Sequence, residues 1–364
     1  MQRGPLSDVR VVEFSALGPV PFCAMLLADM GADVVQIARP HTSIDTDNFM
    51  QRGRRVIPLD LKQPHDRDTA LDLIARADVL LEGNRPGVME SLGLGPDTCT
   101  ARNPRLVYGR MTGWGQTGPL ASTAGHDINY IALTGVLDAI GVAGSSPVPP
   151  LNLIGDYGGG AMFLAFGTLC ALWEARASGL GQVIDAAMVD GSAMLMSLFC
   201  RLLAQGKWNG PRGTRILDGG APWYTTYRTA DNRYVAVGAL EEPFWQALLA
   251  GLEISPASLP PRSEKGGWPV IRAALADRFA TRTRDAWAKQ FRESDACVSP
   301  VLNLQEAAEN EHIAARHTYV ADRNFVRPAT APRLNRTPAS EAVPPTLGTA
   351  QAVLEAWQTG ASRR

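Results

Sequence analysis

Residues 9–37 read VRVVEFSALGPVPFCAMLLADMGADVVQI. Val9 to Phe14 is a run of mostly branched and aromatic residues, the composition of a short buried strand. A turn carrying Gly18, Pro19 and Pro21 follows, and Phe22 to Met30 has helical character that Gly31 ends. Asp33 to Ile37 reads as a second strand. Strand, helix and strand at this spacing make a βαβ unit, the opening of a parallel sheet in an α/β fold. The dinucleotide fingerprint is absent: the turn holds Gly18 without GxGxxG, and the second strand runs into Ala38-Arg39 rather than an acid. Arg39 has two readings. It meets a phosphate, as an arginine at that position of a doubly wound sheet does, or it is a solvated surface charge.

Outward from this unit the alternation continues. The basic residues Arg52, Arg54 and Arg55 run into a strand-like segment ending near Lys62. Thr69 to Ala77 reads as a helix, and Asp78 to Glu82 and Leu106 to Met111 as strands. Gly83-Asn84-Arg85-Pro86-Gly87 is a turn at the C-terminal end of a strand, the edge at which α/β sheets take ligands. The basic positions around Arg39, Arg54 and Arg85 follow successive strands. They read as one polyanion site or as separate surface charges.

Two later segments carry candidate chemistry. In PPLNLIGDYGGG, residues 149–160, Asp156 is followed by three glycines and then by an apolar segment, Ala161 to Ala177, that reads as a buried helix. Asp156 is therefore expected at or just before a helix N-terminus, where unpaired N–H groups point outward. As an N-cap it is structural. Beside a ligand that the glycines allow to approach, it moves a proton while the N–H groups hold a developing oxyanion. Of the five histidines, His41, His65, His312 and His317 fall in polar stretches. His126 alone follows a glycine-dense loop, residues 112–119, and opens an apolar helix, Ile128 to Leu137. A lone histidine is structural or catalytic, and this segment by itself does not choose.

Val183 to Ala187 reads as a strand, and the helix after it bears Met188, Met194 and Met196, which fill a core or form an adaptable apolar surface. The character changes near Ala221. Strands at Trp223 to Arg228 and Tyr234 to Val237 lead through a turn to a helix, Phe244 to Leu252. The expected division is a large Rossmann-like domain over 1–200, a linker over 201–220, a small α+β domain over 221–322, a Pro-rich linker over 323–345 and a C-terminal segment over 346–364.

The 364 residues suffice for two domains, and a net charge of −1 gives no global attraction to nucleic acid or membrane. No window holds 18 consecutive apolar residues, so no membrane span is expected. The five cysteines, odd in number and without a CxxC pair, read as free thiols in a reducing, cytoplasmic setting. The N-terminus lacks a signal-peptide core, and the terminus ASRR is not a peroxisomal address. No metal-ligand spacing is present, so no metal site is expected.

Taken together, several segments resemble the family III CoA-transferase superfamily. GPLSDVRVVEFSALGPVPFCAMLLADMGADVVQIARP (4–40) is similar to its opening. MTGWGQTGP (111–119), AGHDINYIALTG (124–135), PPLNLIGDYGGG (149–160), GQVIDAAMVDGSAML (181–195), ILDGGAPWYTTY (216–227) and SDACVSPVL (294–302) resemble its α-methylacyl-CoA racemase branch. The resemblance implies a Rossmann-like large domain, a small α+β domain and a C-terminal segment returning to the large domain. It implies an interlocked homodimer with an active site shared between chains. It implies His126 and Asp156 as bases on opposite faces of the substrate, with Glu241 of the other chain orienting and polarising His126. Contacts to CoA are implied at Arg39, at Leu59, Asp60, Leu61 and Lys62, at Gly83, Asn84 and Arg85, and at Gly125, Asp127, Ile128, Asn129 and Tyr130. CoA is then part of the substrate, and no separate cofactor is implied. Two positions depart from the pattern: Ser91 stands where a basic residue usually precedes LGLG, and Asn84 where an aromatic often precedes Arg85. Both bear on CoA affinity more than on chemistry.

The implied reaction is interconversion of (R)- and (S)-2-methylacyl-CoA thioesters through an enolate. The alternative on the same fold is a CoA-transferase with Asp156 as nucleophile and a covalent acyl intermediate. The His126-Asp127 segment disfavours it, because a transferase needs no second base. An NADP-dependent oxidoreductase lacks its glycine fingerprint here. A catalytically silent acyl-CoA-binding protein has no need of His126, Asp156 and Glu241 together.

Overall fold

The computed structural model describes residues 4–322, 325–339 and 343–358. The chain divides into two compact units: Met1–Val136, Pro150–Ser197 and Ala329–Arg364 form one, and Leu137–Pro149 and Leu198–Pro328 the other. The expected second linker lies partly outside the described residues, at 323–324 and 340–342, and the expected C-terminal segment does so at 359–364.

The first unit is built on a parallel sheet: β1 Arg10–Phe14, β2 Asp33–Ala38, β3 Arg54–Pro58, β4 Val79–Glu82, β5 Val107–Thr112, β6 Val183–Ala187 and a two-residue edge strand, Thr346–Leu347. The spatial order is Thr346–Leu347, β3, β2, β1, β4, β5, β6. Val12 on β1 lies opposite Val35 on β2 and Leu80 on β4. Side chains alternate across the sheet: Val11, Val34 and Val79 enter the core on one face, Val12, Val35 and Leu80 the core on the other. Because both faces are covered, the alternation buries every residue of β1, β4 and β5, and it gives adjacent apolar pairs such as Val11-Val12 and Val34-Val35. Each fully buried Val, Leu or Ile is worth roughly 1.5–3 kcal/mol relative to exposure.

The helices Pro19–Asp29 and Met162–Ser178 cover the first face. Pro64–Ile74 and Ala350–Gln358 cover the second, the latter through buried Val353 and Trp357. From β1 the chain steps outward to β2 and β3, then returns to place β4 on β1's other side. The loops leaving β1 and β4 diverge at this switch point, and a crevice opens at the C-terminal ends of the strands.

Buried ion pairs stitch this layer together. Arg54 Nε donates to Glu13 Oε2 at 2.6 Å, both side chains fully buried, and its other nitrogens donate to the carbonyls of Pro21 and Met50. Arg52 pairs with Asp29 at the end of the first helix. Arg110 on β5 reaches buried Glu82 at 3.0 Å and, at the surface, Glu90 at 2.8 Å.

The expected buried helix begins differently from the sequence reading. Leu153–Ala161 is a π-helical segment that runs directly into Met162–Ser178. Backbone crowding accounts for its glycines. A Cβ on Gly159 would stand 2.6 Å from the Ser192 nitrogen, and one on Gly191 1.8 Å from the Gly159 oxygen, so the segment and the helix Met188–Leu195 touch main chain to main chain. The combined run Leu153–Ser178 has the length and hydropathy of a membrane span, although Gly, Asp and Thr interrupt it. Leu164, Ala165, Thr168, Ala171 and Ala175 turn inward, while Met162, Phe166, Leu169 and Trp173 are exposed.

The second unit carries a three-stranded antiparallel sheet in the order Tyr224–Arg228, Tyr234–Gly238, Val298–Pro300. The helices Glu242–Leu252, Trp268–Phe279 and Arg284–Phe291 share its core. That core is aromatic: Trp223 stands edge-on to Trp245 and Trp268, and Trp287 contacts Phe279 and Phe291. The Arg262 guanidinium sits over Trp223 and Trp245 and pairs with Glu242.

Candidate active site

At the switch point the first unit holds a cleft of about 290 Å³. Its walls include Pro19 and Val20 after β1, Asn84 and Arg85 after β4, and Trp114 and His126 after β5. Gly83, Gly125 and Tyr130 line it too. Gly125 has to be glycine, since a Cβ there would meet the Tyr130 ring at 2.7 Å and Trp114 at 3.1 Å. Tyr130 packs edge-on against Trp114 at 4.8 Å and donates its hydroxyl proton to the Gly125 carbonyl.

His126 occupies the N-cap of the helix Asp127–Leu133 in extended conformation. Its imidazole is exposed, and its backbone N–H donates to Asn129 Oδ1 at 3.0 Å. Asp127 turns the opposite way. Its side chain is buried, and Oδ2 accepts the Asp156 backbone N–H at 2.7 Å. A Cβ on Gly155 would sit 2.4 Å from that oxygen, so glycine is required where the carboxylate approaches. His126 and Asp156, far apart in sequence, are thus joined through Asp127.

Asp156 lies in the first turn of the π-helical segment and is half-buried. Asn152 Nδ2 donates to its Oδ2 at 3.1 Å. On its other side is Gly18, the N-cap of the helix Pro19–Asp29, with φ +70; a Cβ there would stand 3.1 Å from Asp156 Oδ2. Burial pushes the Asp156 carboxyl above its ordinary range. The Asn152 hydrogen bond opposes this, the Asp127 charge adds to it, and His126 opposes it more weakly. Burial also raises the Tyr130 hydroxyl, with Asp156 adding and Arg85 opposing.

The other sequence-predicted residues take varied positions. Arg39 is exposed just past β2, and Leu59, Asp60, Leu61 and Lys62 follow β3; all stand at the strands' C-terminal ends, outside the cleft wall. Asp60 and Lys62 are knotted locally: the Asp60 N–H donates to Asp66 Oδ2 and the Lys62 N–H to Asp60 Oδ1. The Asn84 N–H donates to Glu82 Oε2 at 2.6 Å, which fixes the turn presenting Arg85. Ile128 and Asn129 are exposed on the His126 helix. Ser91 is exposed and donates to the Val88 carbonyl. Glu241 belongs to the second unit, exposed at the N-cap of Glu242–Leu252.

Two expectations change. Arg54 is no part of a polyanion site, because its guanidinium is consumed by Glu13 beneath the sheet edge. Of the N–H groups expected near Asp156 as oxyanion donors, that of Asp156 itself is already taken by Asp127. The first-turn N–H groups of Asp127 and Ile128 have no acceptor within their own helix. Sequence reasoning missed Asn152 and Gly18. The i, i+4 spacing of Asn152 and Asp156 was the available signal for the first.

A family model for CoA-transferase family III matches residues 6–351. Curated relatives include an alpha-methylacyl-CoA racemase of Mus musculus, 47% identical over 335 residues, covering 92% of this chain and 87% of the mouse protein. The alpha-methylacyl-CoA racemase of Homo sapiens is 46% identical with the same coverage. Among solved structures, a CAIB/BAIF family protein from Brucella suis matches with a TM-score of 0.83 at 23% identity, covering 98% of this chain and 99% of that one, a likeness of fold. The fold is therefore of the α/β class, a Rossmann-like large unit with a small α+β unit. The chain belongs to CoA-transferase family III.

Proposed function

We propose that the chain is an α-methylacyl-CoA racemase, working on 2-methylacyl-CoA thioesters without metal or redox cofactor. The observation that carries this is the junction of His126 and Asp156 through Asp127 beside the switch-point cleft. The identity to the mouse and human racemases supports it. The hydrogen α to a thioester is weakly acidic, and its removal is feasible when the enolate oxygen is stabilised as the proton leaves. In this reading the thioester oxygen is held by the N–H groups of Asp127 and Ile128. His126 and Asp156 stand on opposite faces of the α-carbon and exchange the roles of acid and base with the hand of the substrate, each contributing roughly 10²–10⁴-fold. The raised carboxyl of Asp156 suits both roles. Glu241 orients His126, and Arg39, Leu59–Lys62 and Gly83–Arg85 take the nucleotide end of CoA.

A homodimer belongs to the same proposal. Met162, Phe166, Leu169 and Trp173 form an exposed apolar stripe, with Val183 exposed on the edge strand β6. A second copy covering this stripe accounts for its hydropathy without a membrane, and it lets Glu241 come from the other chain. The five free cysteines fit a cytoplasmic setting.

The test is incubation of pure (R)- and (S)-2-methyldecanoyl-CoA with the protein in D₂O, followed by proton NMR. Racemisation with loss of the α-proton signal is expected from either enantiomer. Hydroxylamine-trapped acyl adducts on Asp156, with acyl transfer to an added acid and no racemisation, would replace this reading by the transferase one.

A further inference from the structure

The bond between Asp127 and the Asp156 backbone has features that simple packing does not require. Asp127 is 8% exposed. Oδ2 accepts the Asp156 N–H, while Oδ1 is buried with no hydrogen-bond partner among the described residues. Burying a carboxylate with half its acceptor capacity idle is expensive. The segment it holds is π-helical, a geometry that is rare and is concentrated at functional sites. Gly155 makes room for that oxygen, although alanine is the better helix former. Asp127 is also covalently next to His126, whose own backbone is fixed by Asn129. One short link therefore runs from the His126 main chain, through the Asp127 side chain, to the Asp156 main chain.

We propose that the Asp127 side chain is a positioning group for the reaction: its carboxylate sets the separation between His126 and Asp156 by pinning the Asp156 N–H, and this carboxylate does not serve as a contact for CoA. This rests on the racemase reading and deepens it. The charge makes the bond stronger than a neutral acceptor would, which holds the wider π turn in place. A misplacement of about 1 Å in a reacting group costs on the order of 10²-fold in rate. The relevant loss is therefore in kcat.

Four variants test it in the full-length protein: Asp127→Ala, Asp127→Asn, Gly155→Ala and the double variant Asp127→Ala/Gly155→Ala. Steady-state racemisation of 2-methyldecanoyl-CoA is measured first with the unmodified protein, which tests the racemase reading separately. Asp127→Ala and Gly155→Ala are each expected to lower kcat about 10²-fold, with KM held within about threefold. Asp127→Asn keeps a neutral acceptor and should recover to within about tenfold of the unmodified protein. The double variant should be no worse than Asp127→Ala, because removing the carboxylate makes room for the methyl group that Gly155→Ala adds.

A readout without substrate accompanies the kinetics. Hydrogen exchange by mass spectrometry should show faster amide exchange over residues 153–160 in Asp127→Ala and Gly155→Ala, and a smaller acceleration in Asp127→Asn. If the unmodified protein fails to racemise, the racemase reading fails and the exchange arm still judges the pinning bond. A raised KM at constant kcat in Asp127→Ala would make the residue a CoA contact and overturn the proposal. So would an Asp127→Asn variant as slow as Asp127→Ala, or unchanged protection in Asp127→Ala. Should Asp127→Ala fail to fold, Gly155→Ala and Asp127→Asn carry the same comparison.

Discussion

The first unit buries carboxylates in two ways. Glu13 on β1 and Glu82 on β4 are buried within the sheet, each hydrogen-bonded to an arginine, Arg54 and Arg110. Asp127 and Asp156 lie at the sheet's C-terminal edge, where the neighbours are each other, an amide, glycines and one histidine. Burial raises Glu82 as well, but Asn84 and Arg110 oppose it. At Asp156 the Asn152 hydrogen bond opposes burial too, but no guanidinium does, and a second carboxylate adds to it. A carboxylate bonded to a guanidinium is fixed in place and serves as scaffold. One left without a matching cation is poised to take up and release a proton.

The largest effects should fall on opposite sides of this comparison. Asp156→Asn is expected to cut racemisation by roughly 10²–10⁴-fold with the fold intact. In D₂O, His126→Ala should still exchange the α-proton of one enantiomer slowly, and Asp156→Asn that of the other. Full racemisation by either variant would remove that residue from the pair. Arg54→Ala leaves Glu13 buried without its cation and should cost about 3–5 kcal/mol in urea unfolding. The protein that remains folded should keep its kcat, and a selective loss of kcat would blur the distinction between scaffold and site.

A smaller effect concerns pH. An unfolded aspartate titrates near about 3.9, and Asp156 lies higher in the folded chain. The folded state then holds its proton more tightly. The resulting stabilisation is complete below the unfolded value and is lost as pH rises through the folded one. Asp156→Asn should accordingly raise the thermal midpoint at neutral pH, and the gain should vanish below about pH 4. Calorimetry across that window checks the sign. No gain at neutral pH would mean that Asp156 is matched after all.

Asn152→Ala removes the donor that favours the charged Asp156. The acid limb of kcat/KM should move to higher pH in the direction for which Asp156 is the base, with a loss of about tenfold or less at neutral pH. The smallest effects belong to the CoA end. Arg39→Ala and Arg85→Ala should raise KM several-fold while leaving kcat nearly unchanged, and Ser91→Arg should lower KM. A fall in kcat at constant KM would move Arg39 or Arg85 from the nucleotide end to the chemistry.

The parallel sheet was legible because its signal is local. Val11-Val12 and Val34-Val35 are unbroken apolar pairs because alternate residues enter cores on both faces. The segments with His126 and Asp156 stood out for the glycines around them. The pinning of Asp156 was not legible, since nothing in the string GHDIN says that the acid turns inward while the histidine turns out. A π turn widens a helix by less than one residue and leaves no clear period in so short a segment. Arg54 was misread with its basic neighbours. Its partner was in view, because Glu13 sits between Val12 and Phe14 on β1 and a glutamate buried there requires a cation. The edge strand was also out of reach: two residues carry no periodicity, and Leu347 finds Val56 only through the tertiary fold.

That edge strand sets a timetable for synthesis. Thr346–Leu347 pairs with β3, and Trp357 fills a core shared with Leu73 and Ile74. About 290 residues separate β3 from its partner, so at about 5–20 residues per second the ribosome takes roughly 15–60 s to supply it. Throughout that interval the outer side of β3 is an unpaired parallel edge, the kind of surface that recruits another chain's strand. A nascent polypeptide halted before residue 340 keeps that edge open indefinitely. Stalled translation therefore turns a soundly built sheet into a seed for aggregation.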